Sequence, residues 1–170
     1  PAAIQLRAAP PLRSESAGGA SGRTICAVET TATRATMDLS KFPKDLMHAI
    51  GFTEVLRVDH EAGIARVRYT ARPEFAHTKG TVVQGGLITA WLDSAMAFAV
   101  IARDPDASLA SLELKVSFLE RVGVAAYEVE ARVLRWGRSV VFLEADLFSE
   151  SGVLLVRASS TGKLLRTARA

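Results

Sequence analysis

With 170 residues, 49% of them hydrophobic, the chain is long enough to bury one sizeable core but hardly two. Its 21 Lys and Arg outnumber its 18 Asp and Glu to give a net charge of +3, but the basic residues are scattered among acids and form no continuous stripe, which argues against a nucleic-acid partner. The single cysteine, Cys26, excludes an internal disulfide framework and any cysteine-based zinc site, and it fits a reducing cytoplasm.

Residues 1–36 differ from everything after them. Ala, Ser, Thr, Gly and Pro dominate, no apolar period is visible, and the segment reads as a flexible extension. Ile4, Leu6 and Leu12 form no continuous apolar run, so a secretory signal does not fit; an organellar transit peptide, Arg- and Ser-rich and poor in acids, is harder to exclude. Met37 stands just before the organised part. The expectation is that Met37 is the native start or that the leader is an artefact, with one domain over residues 37–170.

In chain order, a short amphipathic helix is expected over 43–50, with proline near its start and Gly51 just past its end. Strands over 53–58 and 64–70 flank the turn His60-Glu61-Ala62-Gly63, and Ala65, Val67 and Tyr69 alternate with Arg66, Arg68 and Thr70 as in a hairpin. A long apolar helix follows over 85–102. In the next strand Leu112, Leu114, Val116 and Phe118 alternate with Ser111, Glu113, Lys115 and Ser117, the pattern of a sheet with one buried face. Tyr127, Val129, Ala131 and Val133 repeat it, as do Val141, Leu143, Ala145 and Leu147 after a Gly137-Arg138-Ser139 turn, and 153–161 closes the series. One long apolar helix with a surplus of amphipathic antiparallel strands predicts an α+β fold, a curved antiparallel sheet wrapped around that central helix. Segment 85–102 is near the length of a membrane span, but its charged Asp93, its Gly-Gly start and its lack of flanking anchors argue against one.

Asp93 is the only charged side chain from Gly85 to Ala102. A lone carboxylate on a helix apolar on every face is expensive to bury unless it is hydrogen-bonded or used, so it is either a structural acceptor or a reactive group. Gly85 and Gly86 leave the first free N–H groups of the helix open to a ligand, where the helix dipole favours arriving negative charge. Asp93 lies seven residues beyond Gly86, about two turns, on the same face but roughly 10 Å along the axis, too far for one reacting atom to reach both. Two subunits with antiparallel central helices would bring the Gly86 end of one to the Asp93 region of the other.

The run His77-Thr78-Lys79-Gly80-Thr81-Val82-Val83-Gln84-Gly85-Gly86, followed by Trp91-Leu92-Asp93-Ser94-Ala95-Met96-Ala97, resembles the signature of hotdog-fold acyl-CoA thioesterases of the PaaI-like, phenylacetate-pathway type. In that family a His or Gln precedes the glycine pair and an acid follows at this spacing; Ser111 to Leu119 is similar to the family's third strand. The likeness spans roughly residues 42–165. It implies the hotdog architecture, homodimers paired sheet edge to edge and often paired again as homotetramers, and hydrolysis of an acyl-CoA substrate to free acid and CoA, with no cofactor. Carried onto this chain, Gly86 N–H with the Gln84 amide would hold the thioester oxygen. Asp93 from the partner chain would act as general base or nucleophile, and Ser111 would orient the water or carboxylate. His77 and Gly85 would contact substrate. Two departures stand out: many members carry His before the glycines and Asn at the loop start, where this chain has Gln84 and His77, and the loop from His77 to Gln84 is one residue longer than in many members. Arg121, Arg138 and Arg157 near strand ends receive no assignment as CoA phosphate ligands, and no metal site is expected. A dehydratase or hydratase reading lacks its His pattern. A non-catalytic acyl-CoA sensor is the alternative, against which stand Asp93 and the lack of a DNA-binding segment.

Overall fold

Period-two alternation along four of the strands sends one set of side chains toward a single helix and the other outward, and this sorting sets the architecture. The computed structural model describes Met37 and residues 39–166; the expected extension over 1–36 lies outside the described residues. Helix α1 (Lys44–Ala49) begins after Pro43 and ends at Ile50, and Gly51 takes the left-handed φ of 75° that turns the chain into the sheet. A Cβ on Gly51 would fall 2.3 Å from the Thr70 carbonyl oxygen, so this turn requires glycine. Strands β1 (Phe52–Asp59) and β2 (Ile64–Thr70) form the expected hairpin. Two short strands that alternation did not reveal, β3 (Ala76–His77) and β4 (Val82–Val83), pair across the loop before helix α2 (Gly85–Arg103). Strands β5 (Ala107–Phe118), β6 (Ala126–Trp136), β7 (Val140–Ser149) and β8 (Leu154–Arg166) complete an antiparallel sheet in the order β1-β2-β6-β7-β8-β5.

The concave face is graded in size, and the register shows how. Tyr69 pairs with Tyr127; the next row is Val67, Val129, Leu147 and Val156; the next is Ala65, Ala131, Ala145 and Ala158. Trp91 of α2 lies between the two tyrosines, with ring centroids 5.6 Å from Tyr69 and 6.1 Å from Tyr127. At the other end a Cβ on Gly63 would fall 3.3 Å from the Cβ of Arg103. The helix therefore crosses from large to small side chains, and the alanine row gives its C-terminal half room to approach the sheet. Ten residues of α2 are buried, from Ile88 to Ala102. The helix is long and apolar enough to cross a membrane by length and composition, but here the sheet covers it.

The outer face carries ionic ladders instead. Arg68 bridges Glu54 and Glu128, and Arg66 joins Glu128 at 2.8 Å. Farther along, Arg132 bonds Glu144 and Asp146, and Arg157 grips Asp146 with two bonds of 2.6 and 2.8 Å. Burial opposes the Glu128 carboxylate, but the bonds and charge of Arg68 and Arg66 outweigh it and hold its pKa below the ordinary value.

Strand β5 departs from expectation. Its apolar alternation predicted a buried face, yet Leu112 is 63% exposed and Phe118 52% exposed, while Leu114 and Val116 are only partly buried against the core. The reason is position: β5 is an edge strand paired only with β8, and a register shift between Ser111 and Glu113 breaks its alternation.

The Trp91 indole N–H donates to the Ile50 carbonyl at 2.6 Å inside the core, tying α2 to the end of α1. Trp91→Phe leaves that carbonyl without its partner and removes ring volume; urea unfolding should report a loss of about 1–3 kcal/mol.

Candidate active site

Asp93 emerges from α2 opposite β5, and there the Ser111 hydroxyl donates to its Oδ1 at 2.5 Å. The β5 register shift sits at Ser111, so the irregularity that exposes Leu112 coincides with the residue that meets the carboxylate. Asp93 is half-buried and Ser111 exposed, which leaves the pair open to an incoming molecule. Gly86, Thr89, Ala90 and Asp93 of α2 and Ser111, Leu112, Glu113 and Leu114 of β5 line a cleft of about 360 Å³. The structure thus brings Gly86, Asp93 and Ser111 to one cavity. Thr89, Ala90, Leu112, Glu113 and Leu114 are lining residues that sequence reasoning missed; their types are ordinary for a helix or strand and carry no signal.

Behind Asp93 a second relay fixes the helix. The Tyr69 hydroxyl bonds Ser94 Oγ at 2.7 Å, and Ser94 Oγ donates to the Trp91 carbonyl at 3.1 Å. Burial pushes the Tyr69 phenol far above its ordinary pKa; the Ser94 bond opposes this and the nearby Asp93 charge adds to it. Tyr69 therefore stays protonated and ties the residue next to Asp93 to β2.

The start of α2 differs from the expectation that both glycine N–H groups stand open. Gln84 is the N-cap, and its Oε1 accepts from the N–H of Gly86 and, at 3.1 Å, from that of Leu87. A Cβ on Gly86 would lie 2.7 Å from that oxygen, so glycine here makes room for the cap. The expected partnership, Gly86 N–H and Gln84 amide both turned to a ligand, is absent from this conformation: the two are bonded to each other. The Gly85 N–H is outside the cap. Gly85 also receives the Phe118 ring, since a Cβ there would fall 3.2 Å from it. Gln is not a favoured capping residue, so its residue type alone did not point to this arrangement.

The loop that delivers Gln84 is tightly wound. Thr78, Lys79 and Gly80 have successive φ values of 52°, 57° and 79°, and the Gly80 and Thr81 N–H groups both donate to the His77 carbonyl at 3.1 Å. The Gln84 N–H donates to the Phe75 carbonyl at 2.9 Å, which anchors the cap. His77 is exposed, bonds Thr78 Oγ1 through Nδ1 at 2.6 Å, and is not among the residues lining the cleft. Arg157, one of the three arginines near strand ends, is committed to Asp146. Among the described residues no group of three or more His, Cys, Asp or Glu has the spacing to hold a metal ion.

A sequence profile described as the thioesterase superfamily matches residues 80–156, which include Gln84, the glycine pair, Asp93 and Ser111. The chain is similar to a phenylacetic acid degradation-related protein from Ralstonia eutropha JMP134, with 32% identity and a TM-score of 0.64 over 71% of this chain and 90% of that one. It is also similar to a variant of the phenylacetic acid degradation protein PaaI from Thermus thermophilus, with 26% identity and a TM-score of 0.61 over 71% and 99% of the two chains. A Saccharolobus solfataricus protein named as an esterase is 29% identical over 68% of this chain and 82% of its own.

Gln84→Ala removes the partner of the Gly86 N–H, while the Leu87 N–H keeps the backbone carbonyl of residue 84 at 3.0 Å. Chemical denaturation should show a loss of about 1 kcal/mol; an unchanged midpoint would mean that solvent caps the helix equally well.

Proposed function

This chain belongs to the thioesterase superfamily, among its PaaI-like hotdog proteins, and from that premise we propose that it hydrolyses acyl-CoA thioesters to free acid and CoA. Thioester hydrolysis is the chemistry of the family; the acyl-CoA substrate and the residue roles are this proposal's own. The observation that carries it is the Asp93–Ser111 pair, open to a cleft of about 360 Å³, where it would serve a thioester held at the helix start of a second chain. The partner subunit's Asp93 takes a proton from water as the water oxygen attacks the thioester carbon, or attacks that carbon itself to give a mixed anhydride that water then cleaves to the free acid and the regenerated carboxylate. Ser111 holds the carboxylate in line. The carbonyl oxygen gains charge and is met by N–H groups at the positive end of the helix. Gly85 N–H is the donor outside the cap; Gly86 N–H joins it when the Gln84 side chain turns away, and the Gln84 amide NH₂ then donates to the same oxygen. Collapse breaks the C–S bond, and the CoA sulfur leaves as thiolate or takes up the proton. His77 stays at the margin.

Gly86 and Asp93 stand roughly 10 Å apart along one helix, which supports composite sites shared by two chains. The open edge of β5 supports the same assembly: it bears the exposed Leu112 and Phe118, with the exposed Leu119 just beyond its end, and has one neighbour only. A cytoplasmic homodimer, paired again as a homotetramer, is the form proposed.

Thiol release from a panel of short, medium, long and aryl acyl-CoAs tests the substrate class. Asp93→Asn should lower turnover by about two orders of magnitude or more while the assembly stays intact; retained turnover places the chemistry elsewhere.

Shared sites have a separate signature. Gln84→Ala and Asp93→Ala, each first shown to be impaired, are dissociated, mixed equally and reassociated. Half the dimers are then mixed and hold one intact site in two, so activity should return to about one quarter of wild type. Mixed dimers as inactive as their parents would put each site within one chain.

A further inference from the structure

A second cavity, of about 450 Å³, lies on the other side of α2 from the Asp93 cleft. Phe98 in its wall is five residues beyond Asp93, a rotation of about 140° around the helix. The two cavities share no lining residue. Its interior is aromatic and aliphatic: the Phe98 ring stacks on Phe42 with centroids 4.2 Å apart and lies 5.6 Å from Phe52, and Met47 closes the α1 side. Two basic side chains, the exposed Lys44 and His48 of α1, also line it. Among the described residues neither has an ion-pair partner.

That combination selects a ligand class. Apart from the Ser40 hydroxyl, the walls between those basic side chains are apolar and offer an unbranched chain dispersion contact and removal from water. The volume is at the lower end of small-molecule sites, enough for a medium-length chain and too little for a nucleotide-bearing molecule to enter whole. Unpaired basic side chains at the lining favour an anionic head over a neutral one. We propose that this cavity binds a free medium-chain carboxylic acid, its chain among Phe42, Phe52 and Phe98 and its carboxylate at Lys44, with the His48 ring beside it. The site is a binding site with no chemistry of its own, and it stands apart from hydrolysis at Asp93: either can fail without the other.

Titration calorimetry of the full chain with hexanoate, octanoate and decanoate tests it. Saturable binding is expected, with affinity rising about fourfold per added methylene until the cavity is full. Lys44→Glu should weaken decanoate binding about tenfold or more while leaving 1-decanol unchanged. Met47→Trp should fill the cavity and abolish binding of both; if that variant does not fold, Lys44→Glu alone decides. Asp93→Asn should bind decanoate as the parent does. No saturable binding, binding indifferent to Lys44→Glu, or binding lost in Asp93→Asn would each overturn the proposal, the last because it would put the ligand in the cleft.

Discussion

The molecule is organised by the need to cover one helix. A 19-residue segment with a single charged side chain before its last residue cannot stand in water alone, and one sheet of six strands supplies the cover. Covering it well requires the sheet to present a graded surface, and the tyrosine, valine-leucine and alanine rows do so in register. The gradient fixes the tilt of the helix as well as its depth. Trp91 is held between Tyr69 and Tyr127 at one end, and the Arg103 Cβ packs close to Gly63 at the other. With the helix axis set, the directions of Asp93 and Phe98 follow from helical geometry, and so do the positions of both cavities.

The sheet leaves one flank of the helix uncovered, and the cleft forms there. Strand β5 is at the margin, and its register shift at Ser111 interrupts the alternation that would have sealed a core. A regular β5 would have carried Leu112 on the face of Leu114 and Val116; the irregular one leaves it exposed and puts a hydroxyl against the helix carboxylate. The carboxylate of Asp93 is tolerable on an apolar helix because it meets Ser111 and solvent rather than hydrocarbon. The remaining polar group in this region, Tyr69, is satisfied by Ser94, which is satisfied by the backbone in turn.

The elements were legible because each carries a period. Alternation marked β2, β6 and β7, while β1 was placed by the turn it flanks, and Gly51 and Gly63 marked turns where the structure has positive φ. The ends of β5 and β8 ran longer than the pattern suggested, since edge residues continue a ladder without contributing apolar periodicity. The two-residue strands β3 and β4 are too short for any period. In the site, Asp93 was legible as a lone charge, and Ser111 only through likeness to a known strand. The Gln84 cap was not legible at all. Nothing in the composition of that stretch distinguishes an amide aimed outward from one folded back onto a nearby N–H. The left-handed turn over Thr78 to Gly80 that sets its approach uses residue types with no strong preference for that conformation, apart from the glycine.

The cap has a consequence for the proposed reaction. At rest the Gly86 N–H is bonded to a neutral amide oxygen, so a ground-state thioester carbonyl, also neutral and weakly basic, gains little by displacing it. An oxygen carrying developing negative charge gains much more, because a charge-assisted hydrogen bond is roughly twice as strong as a neutral one. The exchange of Gln84 Oε1 for the substrate oxygen is therefore nearly neutral before bond formation and favourable during it. An interaction that strengthens only as the transition state forms raises turnover rather than mere affinity. The same cap keeps the Gly86 N–H satisfied when no substrate is present, which an uncapped amide could achieve only with ordered water. On this reading Gln84 suits the position because its side chain can serve both states: as acceptor for the helix at rest and, once rotated, as a donor to the oxygen that replaces it.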